Sequence, residues 1–320
     1  MPKKGCLGCS FPVLIGVIVV LLALVVIGLL GGALGHSFFP NLNIPDWLPV
    51  QKPHVQLPAE TVFHVFDFGV TNSIIASWIT IIVLVGIAYA VTHRTRLVPS
   101  RLQSLIEFAL EWMLNLCKDV AGEKNGRRFF PIVTTIFLFV LMNAWLSLLP
   151  GFGSILITGP EGEPVPLLRG ANTDINLPLA LALISFVFVE YLGISSLGGL
   201  HYMKKFINVS RFLTGVGQLF RGKLKAGFGG IFYGAIDIFV GMLETLSELI
   251  RIVSFTFRLF GNMTGGEILI LMMMFLVPWV LALPFYGLEL LVGLIQAVVF
   301  SGLTLVFATV AVTPHGGEEA

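Results

Sequence analysis

No charged residue separates Lys4 from Asp46. The centre of that gap, Phe11 to Leu34, is built almost only of Val, Leu, Ile, Gly and Ala. A bilayer core needs about 20 consecutive apolar residues in a helix to cross it. With no water to receive backbone hydrogen bonds, a single apolar run must satisfy its own N–H and C=O groups, and a helix does so. The same pattern recurs at 73–92, 132–149, 177–197, within 231–283 and at 287–312.

Composition agrees. Hydrophobic residues make up 56% and charged residues 12% of the 320 positions, about half the charged share of an ordinary soluble domain. The 19 Lys+Arg and 18 Asp+Glu leave a net charge of +1. That excludes a nucleic-acid binder working through a broad basic surface and a disordered or coiled-coil chain. The expected fold is an all-α polytopic membrane protein. It has about five core transmembrane helices, an extra N-terminal one, an amphipathic surface helix and a long tilted C-terminal helical hairpin.

The first run follows Lys3 and Lys4 and ends near Ala33-Leu34-Gly35, which loosely resembles a signal-peptidase site. Its length exceeds a usual signal core, which favours a retained helix over a cleaved one. Gly28 and Gly32 form a GxxxG suited to close helix packing. Cys6 and Cys9 form a CxxC without βαβ context, and Cys117 stands alone. The pair reads as inert or lipid-modified thiols at the membrane edge rather than a redox or metal site.

Residues 36–72 are proline-rich and read as a loop outside the membrane. Within 102–120, Leu105, Phe108, Trp112, Leu116 and Val120 alternate with Glu107, Glu111, Lys118 and Asp119, the pattern of a helix lying on the membrane surface. A short soluble helix between spans is the alternative. Residues 199–230 read as a Gly-rich basic loop. Residues 93–128 hold seven Lys/Arg and 199–225 hold six, whereas 36–72 and 150–173 hold one each. The positive-inside rule therefore places both termini in the cytoplasm, with six crossings between them. The expected divisions are 1–35, an N-terminal membrane helix or signal-anchor; 36–72, an extracytoplasmic loop; 73–313, the main membrane domain; and 314–320, a cytoplasmic tail.

All six histidines lie outside the spans or at their edges, which argues against an intramembrane Ser–His protease. HExxH, phosphate-loop and dinucleotide patterns do not occur. No catalytic residue, metal or cofactor is expected, nor an enzyme activity of the chain by itself.

After Lys225 the only basic residues are Arg251 and Arg258, both in apolar sequence. An Arg at the bilayer centre costs at least roughly 2.5–3.5 kcal/mol. Glu244, Arg251 and Arg258 are spaced by seven. At about 100° per residue, Glu244, Ser247, Glu248, Arg251, Ser254, Arg258 and Asn262 fall in a wedge of roughly 120°. Intrahelical pairing of Glu248 and Glu244 with Arg251 accounts for part of this stripe; Arg258 is left without a carboxylate on its own helix. Glu267 faces the opposite side, about 14 Å further along the axis. Gly265 and Gly266 are candidates for a bend there. Glu289 and Gln296 share a face of the last helix. Glu267 and Glu289 are expected to meet each other or water, because a lone carboxylate in lipid is expensive.

The stretch Ser247 to Leu269, SELIRIVSFTFRLFGNMTGGEIL, resembles the signature of subunit a of F-type ATP synthases, the membrane stator of the proton channel. Arg258-Leu259-Phe260-Gly261-Asn262-Met263 followed by Gly266-Glu267 carries most of the likeness. Leu141-Met142-Asn143, Leu148-Leu149-Pro150, Asp174-Ile175-Asn176 and Gln296-Ala297 add to it, over about residues 60–313. The resemblance implies that Arg258 is the essential arginine and that Asn262, Glu267, Glu289, Gln296, Asp174 and Asn176 line an outer proton path. Glu244, Ser247 and Arg251 would lie toward the cytoplasmic exit. It also implies a c-ring, a subunit b peripheral stalk and, indirectly, the F1 sector as partners, in a bacterial inner membrane. Three departures stand out: the first span, the Glu267/Glu289 pair where the family often has a His, and Ser147 where it often has an acid. Proton and sodium coupling both stay open. A secondary transporter would show an internal inverted repeat, and none is found; a purely structural membrane protein would not need Arg258.

Overall fold

A computed structural model of the chain describes residues 11–39, 58–66, 68–93, 99–159, 164–199, 202, 210–220 and 224–313. Lys3, Lys4, the Cys6–Cys9 pair, the 40–57 part of the proline-rich loop, Arg94, Arg96, Glu161, Glu163, Lys204, Lys205, Arg221, Lys223 and the 314–320 tail lie outside the described residues.

The architecture is all-α. In order, α1 is Phe11–Gly31, α2 Ala33–Phe38, α3 Asn72–His93, α4 Arg101–Ser147 and α5 Asn176–Leu197. Then come α6, Ser210–Phe220; α7, Leu224–Leu276; and α8, Leu283–Val312. Among the described residues six helices are long and apolar enough to cross a membrane, and they fall on the six expected runs. The basic stretch after α5, read as a loop from its glycines, contains α6 and the start of α7. The proline-rich loop includes a hairpin, β1 (Thr61–Val65) paired antiparallel with β2 (Phe68–Thr71). The loop after α4 holds the extended segment β3 (Pro150–Gly153), then a second antiparallel pair, β4 (Leu156–Thr158) with β5 (Pro164–Pro166).

The expected surface helix and the third span are continuous in α4 but break at Gly122 (φ 77°, ψ 167°). That left-handed φ suits glycine. Just beyond it, a Cβ at Gly126 would lie 2.6 Å from the Cys117 carbonyl oxygen. The two glycines together let the chain turn from one arm of α4 into the other.

The chain divides into two compact units. The first comprises Met1–Ser77, Asn143–Asp174 and Gly261–Ile295. Its interior is markedly polar: Asn72, Asn143, Asn172, Thr173, Asp174, Thr264 and Glu289 are buried beside Val62, Val70, Met263 and Ile270. Of the GxxxG glycines, Gly32 lies where any Cβ would overlap the Leu276 carbonyl, so the close approach is to the end of α7. The second unit comprises Trp78–Met142, Ile175–Phe260 and Gln296–Ala320. Its core is apolar, with Phe129, Met113, Val133, Leu192, Leu259 and Leu305 fully buried. The Phe129 and Phe188 rings meet edge to face at 6.1 Å, a favourable quadrupole geometry. The outward apolar faces of α1 and α3 remain exposed, as lipid-facing helices require.

Candidate functional site

In the first unit, the loop after β5 enters a 3-10 turn at Ala171–Thr173 and delivers Asp174 to the start of α5. Asp174 is buried and accepts a hydrogen bond from Ser73 Oγ at 2.6 Å. The Ser73 hydroxyl lies 2.8 Å from Thr71 Oγ1. The Asn172 N–H donates to Asn143 Oδ1 at 3.2 Å, and Thr264 Oγ1 donates to the Thr173 carbonyl at 3.4 Å. Each of these polar groups leaves water only because a partner replaces it.

Beside this cluster is a cavity of about 230 Å³ lined by Glu267, Glu289, Arg169, Asn172, Thr173 and Tyr286, among others. Arg169 Nη2 lies 3.4 Å from Glu267 Oε2. Glu289 is buried and within electrostatic range of Glu267. The two carboxylates, expected to meet each other or water, line the same cavity. The glycines before Glu267 do not break the helix: α7 is helical from Leu224 to Leu276. Gly266 serves close approach instead, since a Cβ there would overlap the Glu289 carboxyl group. Ser147, which stands where an acid was noted as missing, also lines the cavity. Asn262, on the same length of α7, is exposed.

In the second unit the polar stripe of α7 divides along its length. Glu244, Glu248 and Arg251 form its half-buried inner edge; Ser247, Ser254 and Arg258 form its exposed outer edge. Arg251 pairs with Glu248 one turn earlier and lies 4.0 Å from Glu190 on α5. Its guanidinium sits 4.4 Å over the Phe307 ring, a cation–π contact. Glu244 adds its charge from within range. Tyr202, whose ring fills the space over Gly193, hydrogen-bonds Glu190. Its burial, then the Glu190 carboxylate, push the Tyr202 phenol upward from its ordinary value. Buried charge is tolerable when opposite charges are paired in this way.

Arg258 is different. Among the described residues its hydrogen-bonding neighbour is Ser254 Oγ at 3.4 Å, and no carboxylate lies in ion-pair range. Gln296 is buried on α8 and Asn176 is exposed at the first residue of α5.

Three participants escaped the sequence reading: Arg169, Ser73 and the pairing of Glu190. Arg169 had a signal, being one of only two basic residues in the stretches 36–72 and 150–173. Glu190 stood out as a carboxylate within an apolar run, but its partner, like that of Ser73, is distant in sequence.

Among the described residues, six apolar helices, a polar interior in one unit and an arginine with no carboxylate in ion-pair range on an exposed helix edge define a multi-pass membrane protein built around ionisable groups. Residues 74–309 match the family described as ATP synthase A chain. ATP synthase subunit a of Gloeobacter violaceus is 32% identical over 244 residues, covering 76% of this chain and 85% of that one. The same subunit of Aliarcobacter butzleri is 30% identical over 221 residues, 69% and 80% of the two chains. That of Campylobacter concisus is 30% identical over 240 residues, 74% and 88%. The chain belongs to the ATP synthase subunit a family, the proton-translocating membrane subunit of the Fo sector.

Proposed function

We propose that this chain forms two offset half-channels against a rotating ring of c subunits, each carrying a membrane carboxylate. Protons enter from outside past Asp174, Asn176, Glu267, Glu289, Asn262 and Gln296 and neutralise a ring carboxylate, which then faces lipid at little cost. After nearly a full turn they leave along Glu244, Ser247 and Arg251. A subunit b stalk holds the chain against the ring, in a bacterial inner membrane with both termini cytoplasmic. One charge crossing 100 mV supplies roughly 2.3 kcal/mol, so several protons are needed for each ATP formed in the F1 sector.

The observation that carries this reading is Arg258, exposed, permanently charged and beside only a neutral hydroxyl among the described residues. A guanidinium does not give up its proton. It favours the deprotonated form of a carboxylate passing nearby, so a ring site cannot pass it protonated and the two paths do not short-circuit.

The test replaces Arg258 by Ala or Lys in membranes carrying the complete complex. Both variants are expected to lose proton-driven ATP synthesis, the Lys variant because it lacks the planar fork. Wild-type rates in either would remove the proposal. Synthesis sustained by a sodium gradient in the presence of a protonophore would replace the proton with sodium as the coupling ion.

A further inference from the structure

Arg169 is a costly residue to place where it is. It is 9% exposed, and a buried guanidinium is stable only if nearby groups repay the loss of water. Its Nη1 donates to the Pro58 carbonyl at 3.1 Å, and its Nη2 lies 3.4 Å from Glu267 Oε2. Nε is buried without a hydrogen-bond partner among the described residues. The Glu267 side chain is one-third exposed while Glu289 is buried, and all three line the same cavity. Two carboxylates and one guanidinium sum to a single negative charge. A site of that sum holds one exchangeable monovalent cation; without the arginine it holds two.

We propose that Arg169 is the fixed counter-ion of the outer carboxylate pair: it binds Glu267 and so leaves Glu289 as the one carboxyl group that takes up and releases the transported proton. Arg169 is then a positioning residue, acting through Glu267. The proposal rests on the function proposed above, because it concerns ion uptake by the same chain.

The expected signature is a reversal on combining two charge changes. In Arg169→Gln, two uncompensated carboxylates share the cavity and retain an extra proton. In Glu267→Gln, Arg169 is released to pair with Glu289 and block it. Each single variant is expected to lower proton-driven ATP synthesis about tenfold per assembled complex. The double variant restores the charge sum, and its rate should rise several-fold above either single one. Arg169→Lys keeps the charge and should stay within about threefold of wild type.

Rates are measured in vesicles holding the complete complex and normalised to the amount of this chain assembled. A wild-type rate in Arg169→Gln would overturn the proposal. So would a double variant no faster than Arg169→Gln, which would make the role one of anchoring the loop through Pro58. Arg169→Lys as slow as Arg169→Gln would also overturn it, because charge would not be the property in use. Arg258→Ala, run in the same vesicles, separates the two levels: wild-type synthesis there removes the proposed function itself, whereas loss there beside a normal Arg169→Gln removes only the role of Arg169.

Discussion

Gly266 offers a sharp perturbation because its cause is local and its consequence is functional. Glycine in a helix interior is about 1 kcal/mol less favourable than alanine, so on propensity alone Gly266→Ala should stabilise α7. The added Cβ, however, would overlap the Glu289 carboxyl group, all three of its nearest atoms being that group's two oxygens and its carbon. The obstacle is the end of a flexible side chain rather than backbone, so the overlap is relieved by swinging the carboxyl away. Overpacking of this kind costs about 1–3 kcal/mol. Set against the propensity gain, folding loses about 0–2 kcal/mol and the complex should still assemble. Function should suffer more, since a displacement of about 1 Å at a reacting group can lower a rate on the order of a hundredfold. Proton-driven ATP synthesis in vesicles, normalised to assembled complex, is the assay. Gly287→Ala is the control: it lies two residues from Glu289 on α8, and its added Cβ would meet no atom within 4 Å. A wild-type rate in Gly266→Ala would refute the argument, as would an equal loss in Gly287→Ala.

Two further outcomes concern the charged and polar interior. Arg251→Leu removes the cation shared by Glu190 and Glu248 and should destabilise the chain by about 3–5 kcal/mol, the cost of breaking a buried pair; thermal denaturation of the purified complex measures it, and an unchanged midpoint counts against the pairing. Ser73→Ala leaves one Asp174 oxygen without its 2.6 Å donor. It should cost about 1.5–3 kcal/mol in the same measurement, as expected for a hydrogen bond to a charged group, while Ser73→Thr, which keeps a hydroxyl, should cost less.

The membrane helices were legible because lipid leaves the backbone no alternative. Asn176–Leu197 and Leu283–Val312 begin and end within a few residues of the apolar runs that announced them. That Glu267 and Glu289 would not stand alone in hydrocarbon was also legible, from the expense of a lone carboxylate there; they line one cavity. What could not be read depends on contacts between residues far apart along the chain. Arg169 meets Glu267 across 98 positions, and helical periodicity carries no information about a side chain arriving from a loop. Gly266 shows a subtler failure. Paired glycines in a helix suggest a bend, but a glycine is equally required where another group comes too close for a Cβ, and only the position of Glu289 decides between the two. α6 was hidden for a related reason: its glycines argue for a loop, yet Gly215 lies where a Cβ would be 2.5 Å from the backbone at Gly230–Ile231.

The two membrane arginines bring this distinction to the function. Arg251 and Arg258 are seven residues apart on one helix, and the spacing of Glu244 and Glu248 already sets them apart. Arg251 turns to the inner edge of the stripe, where Glu248 and Glu190 pair with its charge and the Phe307 ring lies against it. Arg258 turns to the open edge, with a neutral hydroxyl at 3.4 Å. An unpaired guanidinium in a bilayer is unstable unless an anion or water reaches it. No carboxylate of the described residues lies in ion-pair range of Arg258; in the proposed assembly its anion is the carboxylate of a passing ring subunit. Among the described residues nothing in its surroundings competes strongly for it, so on the proposed function the pairing can be made and broken in turn. A fixed partner such as Glu190 would hold Arg258 as it holds Arg251 and leave no charge to present to a passing carboxylate. On this argument, introducing a carboxylate one turn away, as in Ser254→Glu, should depress proton-driven synthesis while leaving assembly intact, because it satisfies the arginine within its own chain. A Ser254→Glu variant that assembles and synthesises ATP at the wild-type rate would show that an unpaired Arg258 is not what the mechanism requires.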